Sequence, residues 1–232
     1  IVITKLSGGK KKKRMIVNFK RSGISRSSRK SQRVILPKAL DLTWDTLEIL
    51  KFCEASGVKG EMVTLILDFA DAFFQVPLAP CERPCAVIQY RGQYYCFHRA
   101  PQGSRGAPLL WGRVAAMLCR LGISVMSRGR SAINCYVDDP AILSDGSSEH
   151  TNRDLTKLVL VWLALGFRMT FRKAVLTGFR GVVTWTSIRF TILPDSIIVQ
   201  IKQQIIDDVK AQVDAFLAKN QVREDELREF LG

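Results

Sequence analysis

The first 40 residues contain no aspartate and no glutamate; the first acidic side chain of the chain is Asp41. Thirteen Lys or Arg residues fall in that stretch, so its charge has no local counterweight. A segment of this kind suits a polyanionic partner, nucleic acid first and an anionic membrane surface second. Over all 232 residues, 35 Lys plus Arg stand against 21 Asp plus Glu, a formal +14. Long apolar runs are also scarce. The longest, "LVLVWLALGF" (158–167), has ten residues, half of the roughly 20 a spanning helix needs, so no membrane partner is expected. No signal peptide is visible, and a chain that starts at Ile1 leads us to expect an upstream segment. Six cysteines (Cys53, Cys81, Cys85, Cys96, Cys119, Cys135) show no paired framework. Free thiols in a reducing, intracellular compartment, cytoplasm or nucleus, are the expectation. The spacing of Cys81, Cys85, Cys96 and His98 matches no standard zinc knuckle. There is no internal repeat, and the one low-complexity stretch, "RSGISRSSRKSQR" (21–33), reads as a loop.

What is present is a mixture of helix and strand patterns. "MIVNF" (15–19), directly after "GGKKKKR", has strand character, which predicts a basic hairpin rather than a solvated arm. Residues 40–56 have helical periodicity, with Asp41 as N-cap and Gly57 as stop. "MVTLIL" (62–67) is a buried strand that delivers Asp68. "AVIQY" and "QYYCFHR" form a hairpin around Arg91-Gly92, and residues 104–121 a helix closed by Gly122. A further helix spans 148–165 and ends at Gly166. Residues 182–192 alternate as a strand. Ile201, Ile205, Val209, Val213 and Phe216 mark a long helix, and "EDELREFLG" opens another. No regular βαβ alternation appears, so the fold class is α+β.

"INCYVDDPAIL" (133–143) places Asp138 and Asp139 between two short apolar arms. A hairpin tip normally uses Asn-Gly or Asp-Gly; here it reads Val-Asp-Asp-Pro, and adjacent carboxylates repel unless a cation lies between them. If the strand ending at Asp68 neighbours this hairpin, three carboxylates meet at one sheet edge and can stay ionised by binding Mg²⁺. Turn residues capping two strands are the plain alternative.

Five stretches in order bear on that choice. "LDFADAFFQVPL" (67–78) resembles the first catalytic motif of reverse transcriptases of retroelement type. "APQGSRGAPLLWGR" (100–113) resembles their Pro-Gln-Gly motif, and "YVDD" (136–139) their catalytic hairpin. "LGFRMTFRK" (165–173) resembles the next motif, and "VTWTSIRF" (183–190) the primer-holding strand. "KKKRMIVNFKRSGIS" resembles the fingers and "DELREFLG" the start of a thumb helix. The resemblance implies a right-hand polymerase fold, with an antiparallel palm sheet packed on helices. Fingers would span 1–61, palm 62–192 with an inserted fingers segment near 80–105, and a partial thumb 193–232.

It also implies RNA-templated DNA synthesis from dNTPs on a primed RNA or DNA template, with two Mg²⁺ ions or Mn²⁺ in their place. Asp68 and Asp138 would be the principal metal ligands, joined by Asp139 and the backbone carbonyl of Phe69. Phe73 would exclude a ribose 2′-OH by clash, unless it is ordinary core. Gln102 and Gly103 would meet the incoming nucleotide, and Tyr136 and Val137 would line the primer terminus and the sugar. Arg14, with Lys5 and Lys10 to Lys13, would clamp the triphosphate, Arg14 through its planar fork. Lys173 would donate a proton to pyrophosphate, unless it is a solvated surface lysine. Trp185 would anchor the primer-holding strand, unless it is a half-buried strand residue. Asn18 and Ser187 depart from the family pattern, where Asp and Gly are common. A longer polyprotein with RNase H or integrase modules is the implied setting. A decayed domain that only binds nucleic acid, or an RNA-dependent RNA polymerase, are the rivals; intact Asp68, Asp138 and Asp139 oppose the first and Phe73 the second.

Overall fold

Apolar residues on both faces of a short strand require a layer on each side, and residues 62–67 show how that is met. The structure, a computed structural model, describes residues 2–7, 10–19, 23, 32, 34–57, 61–219, 221–224 and 226–227, with side chains described from residue 16 onward. Strand β1 (Val2–Ser7) pairs antiparallel with β2 (Lys10–Met15). Helix α1 (Ala39–Ala55) leads to β3 (Glu61–Ile66), and β4 (Val87–Tyr90) pairs with β5 (Gln93–Cys96). Then come α2 (Ala107–Val125), β6 (Ser131–Tyr136), β7 (Asp139–Gly146) and α3 (Ser148–Ala164). The chain continues with β8 (Val175–Thr177), β9 (Val182–Trp185), β10 (Ile188–Ile192), β11 (Ile197–Ile201) and α4 (Gln203–Leu217).

The central sheet has the order β6-β7-β3-β8, antiparallel throughout. Period-two alternation sends Leu65, Leu67 and Ile142 to one face and Met62, Ile66, Ala141 and Leu143 to the other. Helices α2 and α3 cover the first face through Trp111, Ala115, Leu118, Leu155, Leu158 and Trp162. Helix α1 and the three-stranded sheet β9-β10-β11 cover the second, with Leu42, Ile49, Val183, Trp185 and Phe190. Helix α2 is long and apolar enough to cross a membrane by length and composition. Its Trp111, Ala115 and Leu118 are instead core against the sheet.

Several expectations need correction. The first hairpin's second strand is the lysine run through Met15; residues 16–18 leave regular structure and Phe19 is buried. The N-cap of α1 is Lys38, and Asp41 sits three residues in, where its carboxylate accepts from Lys38 N at 2.6 Å. Gly122 does not close α2, which runs on to Val125; a Cβ there would strike Leu158 of α3, so glycine permits the close helix crossing. Residues 182–192 are two strands, turned at Thr186 and Ser187 with φ of 48° and 69°. Ile201 ends strand β11 instead of starting the helix, which begins at Gln203. Strands β8 and β11 carry no clear alternation in sequence and went unforeseen. The helix expected in "EDELREFLG" lies largely outside the described residues.

Candidate active site

The β3–β7 ladder closes at Ile66↔Ala141, but the chain keeps to the hairpin beyond it. Leu67 N donates to Pro140 O (3.0 Å) and Phe69 N to Asp138 O (2.8 Å), so Asp68 is held between two residues that grip the β6–β7 tip. On its other flank Thr170 N donates to Asp68 O (2.8 Å) and Ala70 N to Arg168 O (2.9 Å). Gln75 ties the same strands together: its Nε2 donates to Ala70 O and Arg168 O, and its Oε1 accepts from Arg168 N (2.7 Å). Gln75 was not foreseen; its signal was only a polar residue beside an apolar run. Lys173 Nζ reaches Asp68 Oδ1 at 2.5 Å.

The tip itself is two residues, Val137 and Asp138, between the paired Tyr136 and Asp139. Val137 has φ +54°, a left-handed conformation that costs a β-branched residue about 1–2 kcal/mol. Burial first, then the charges of Asp138 and Asp68, push the Asp139 carboxyl up to about 6, against a smaller lowering by Lys173. Negative charge is therefore undercompensated here despite one nearby ammonium.

Asp68, Asp138, Lys173, Phe73 and Gln102 share a cavity of about 130 Å³. An adjoining cavity of about 420 Å³ is lined by Asp68, Asp138, Asp139, Lys173, Thr184 and Thr186. A larger cavity, about 470 Å³, lies by Phe19 and Leu78 with no aspartate in its wall. Carboxylate crowding, and not size, marks the site. Its donors are oxygens, which suit a hard divalent cation. Among the described residues no group of three or more His, Cys, Asp or Glu side chains makes a ready metal cage. An open, partial shell of this kind fits Mg²⁺ or Mn²⁺ shared with substrate oxygens.

The remaining expected residues are distributed as follows. Phe69 is buried among the rings of Trp111, Trp162 and Phe167, so only its main chain is offered to the site. Phe73 lies in the short 3-10 turn Ala72–Gln75, half-buried at the cavity wall. Gly103 has φ +103°, and a Cβ would strike the Val17 carbonyl. Its close approach is thus to this chain's own backbone, where Val17 N donates to Gln102 O at 3.0 Å. Tyr136 is exposed and meets Trp185 edge-on at 6.4 Å. Trp185 is 1% exposed, its ring packed in the core under β9 and β10. Its Nε1 donates to Asp139 O (2.8 Å), and Trp111 Nε1 donates to Val137 O (2.5 Å). Trp111 was not singled out by sequence. Arg14 and Lys5 lie in β2 and β1, in register with Ile3 and Lys12, and their side chains lie outside the described residues. Ser187 is exposed at the β9–β10 turn. Cys81, Cys85 and Cys96 are exposed free thiols, and Cys96 Sγ donates to Arg83 O.

Comparison with known proteins places this geometry. The family described as reverse transcriptase (RNA-dependent DNA polymerase) matches residues 8–215. A foamy viral protease–reverse transcriptase in complex with double-stranded DNA is similar over 100% of this chain and 34% of its own, with a TM-score of 0.64 and 16% identity. A second such DNA complex gives 0.61 over 100% and 41%, at 16% identity. A complex with an RNA/DNA hybrid gives 0.54 over 77% and 21%, at 18% identity. The chain thus spans well under half the length of these structures. They share its mixed helix and antiparallel-sheet architecture, a polymerase fold with fingers and palm.

Proposed function

The chain belongs to the reverse transcriptase (RNA-dependent DNA polymerase) family, and from that premise we propose that it is the polymerase core of a retroelement, extending a primer on an RNA template with dNTPs. The observation that carries this reading is the convergence of Asp68 with Asp138 and Asp139 under an undercompensated charge, beside a cavity walled by Phe73. Asp68 and Asp138, with Asp139 and the Phe69 carbonyl, would hold two Mg²⁺ or Mn²⁺ ions. Such a pair, when bound, supplies charge neutralisation and activation for in-line phosphoryl transfer. In that reaction the primer 3′-hydroxyl gives its proton to water, its oxygen bonds to the α-phosphorus, the bond to the bridging oxygen breaks, and pyrophosphate leaves. Lys173, which pairs with Asp68, would give the departing pyrophosphate a proton. Gln102 faces the same cavity with an amide that can hold the nucleotide. Basic residues of the first 40, Arg14 and Lys5 among them, would carry triphosphate and template contacts.

Primer extension on poly(rA)–oligo(dT) with Mg²⁺ tests the reading. We expect incorporation of dTTP by wild type. Absence of extension by a folded protein that binds the primed template would leave only the nucleic-acid-binding role. In the same assay Phe73→Val should raise rNTP use relative to dNTP by about ten- to a hundredfold, the cost of a roughly 1–3 kcal/mol clash. An unchanged kcat/KM ratio would assign Phe73 to the core.

A further inference from the structure

A two-residue turn holding a β-branched residue at positive φ does not keep its own shape; neighbours must impose it. Around Asp138 the neighbours are specific. The carbonyls of Val137, Asp138 and Asp139 accept in succession from Trp111 Nε1 (2.5 Å), Phe69 N (2.8 Å) and Trp185 Nε1 (2.8 Å). The two indoles arrive from opposite faces of the central sheet: Trp111 belongs to the α2–α3 core and Trp185 to the α1–β9–β10 core. Both are 1% exposed. Phe69 fixes the Trp111 ring at 5.3 Å and Tyr136 meets the Trp185 ring at 6.4 Å. Neither indole can swing away without opening a core.

We propose that Trp111 and Trp185 are positioning residues, a pair of indole donors that hold the Val137–Asp138 and Asp139–Pro140 peptide groups and so aim the Asp138 and Asp139 carboxylates. A buried indole needs some acceptor, and any carbonyl satisfies it. Trp162 illustrates this plain case, donating to Leu118 O of helix α2 at 3.0 Å. The clamp differs because both of its acceptors flank one residue of the site. With the Asp138–Asp139 peptide held by Phe69 N and the peptides before and after it held by the indoles, the Asp138 side chain keeps only its own rotations. The functional part of the claim rests on the polymerase reading; the structural part does not.

The test replaces each tryptophan singly by β-(3-benzothienyl)alanine, which keeps the ring volume and deletes only the N–H. Trp162 serves as the control. Three readouts are taken: hydrogen exchange of the 133–143 peptide, Mn²⁺ affinity by electron paramagnetic resonance, and kcat against KM in primer extension. At position 111 or 185 we expect turn exchange to accelerate about tenfold. Mn²⁺ binding should weaken by about tenfold, as when a residue orienting a ligand is lost. The kcat should fall by about ten- to a hundredfold with KM for primed template unchanged. At position 162 only the melting temperature should fall. Turn exchange equal to wild type in the 111 and 185 variants would overturn the clamp, whatever the activity. If wild type extends no primer, the polymerase reading fails while the exchange data still decide the clamp.

Discussion

The β4–β5 hairpin and the β6–β7 hairpin have the same two-residue connection and opposite support. The β4–β5 tip is Arg91-Gly92, with φ of 50° and 77°, a pair of left-handed residues of which one is glycine. Its strands stand in solvent, with Tyr90, Tyr94 and Tyr95 exposed, and Arg91 rests on the Tyr90 ring at 5.2 Å. The β6–β7 tip is Val137-Asp138, with the β-branched residue in the left-handed region and every flanking carbonyl taken by a neighbour. One turn is written locally; the other is imposed by tertiary contacts. Strain is tolerated where the surroundings hold it, and here they hold it at the carboxylates. The β9–β10 turn lies between them, with Thr186 and Ser187 both left-handed and Trp185 beside them in the core.

The largest separation between the two hairpins is chemical. Asp138→Asn is expected to lower kcat for extension by about a thousandfold or more, the several kcal/mol a metal ligand contributes to the transition state, with template affinity retained. Arg91→Gln at the other tip should change neither kcat nor stability beyond about 0.5 kcal/mol. Residual activity of the Asp138 variant within tenfold of wild type would remove the distinction.

Next comes pH. The folded protein holds the Asp139 proton to about pH 6, against an ordinary 3.8, because of burial and then the charges of Asp138 and Asp68. Ionising it therefore costs stability progressively as pH rises from about 4 to about 6, and the cost is complete above that. Without metal, Asp139→Asn should be more stable than wild type by about 1–2 kcal/mol at pH 8, a value discounted for the partly exposed position, and equal to it near pH 4. A melting-temperature difference that does not change with pH would contradict this cause.

Smaller effects probe the backbone. Gly92→Ala forces a side chain into φ 77° and should cost about 1 kcal/mol of stability without touching kcat. Ser187→Gly relieves the reverse situation and should gain about 0.5–1 kcal/mol, read as a rise in melting temperature. No gain would mean that the neighbours of the β9–β10 turn already offset its strain.

The sequence by itself determined the elements whose signals are local. A short apolar run placed β3, Arg91-Gly92 between two strand-like runs placed the β4–β5 hairpin, Gly57 and Gly166 marked helix ends, and "YVDD" marked the acidic tip. It also determined the basic excess and the motif order that implied the family. Strand β8, whose three residues become a strand by pairing with β3, was not legible, because its hydrogen bonds are made to residues 64–66. The role of Trp111, the tie made by Gln75 and the Val17 contact that requires Gly103 were hidden for the same reason. Each joins residues between roughly 26 and 93 positions apart, where no periodicity records the contact. Tertiary structure also decided that Trp185 is core, since a tryptophan's burial depends on the sheet packed over it. The carboxylates were spelled out along the chain. Their direction was fixed only when two cores closed around one turn.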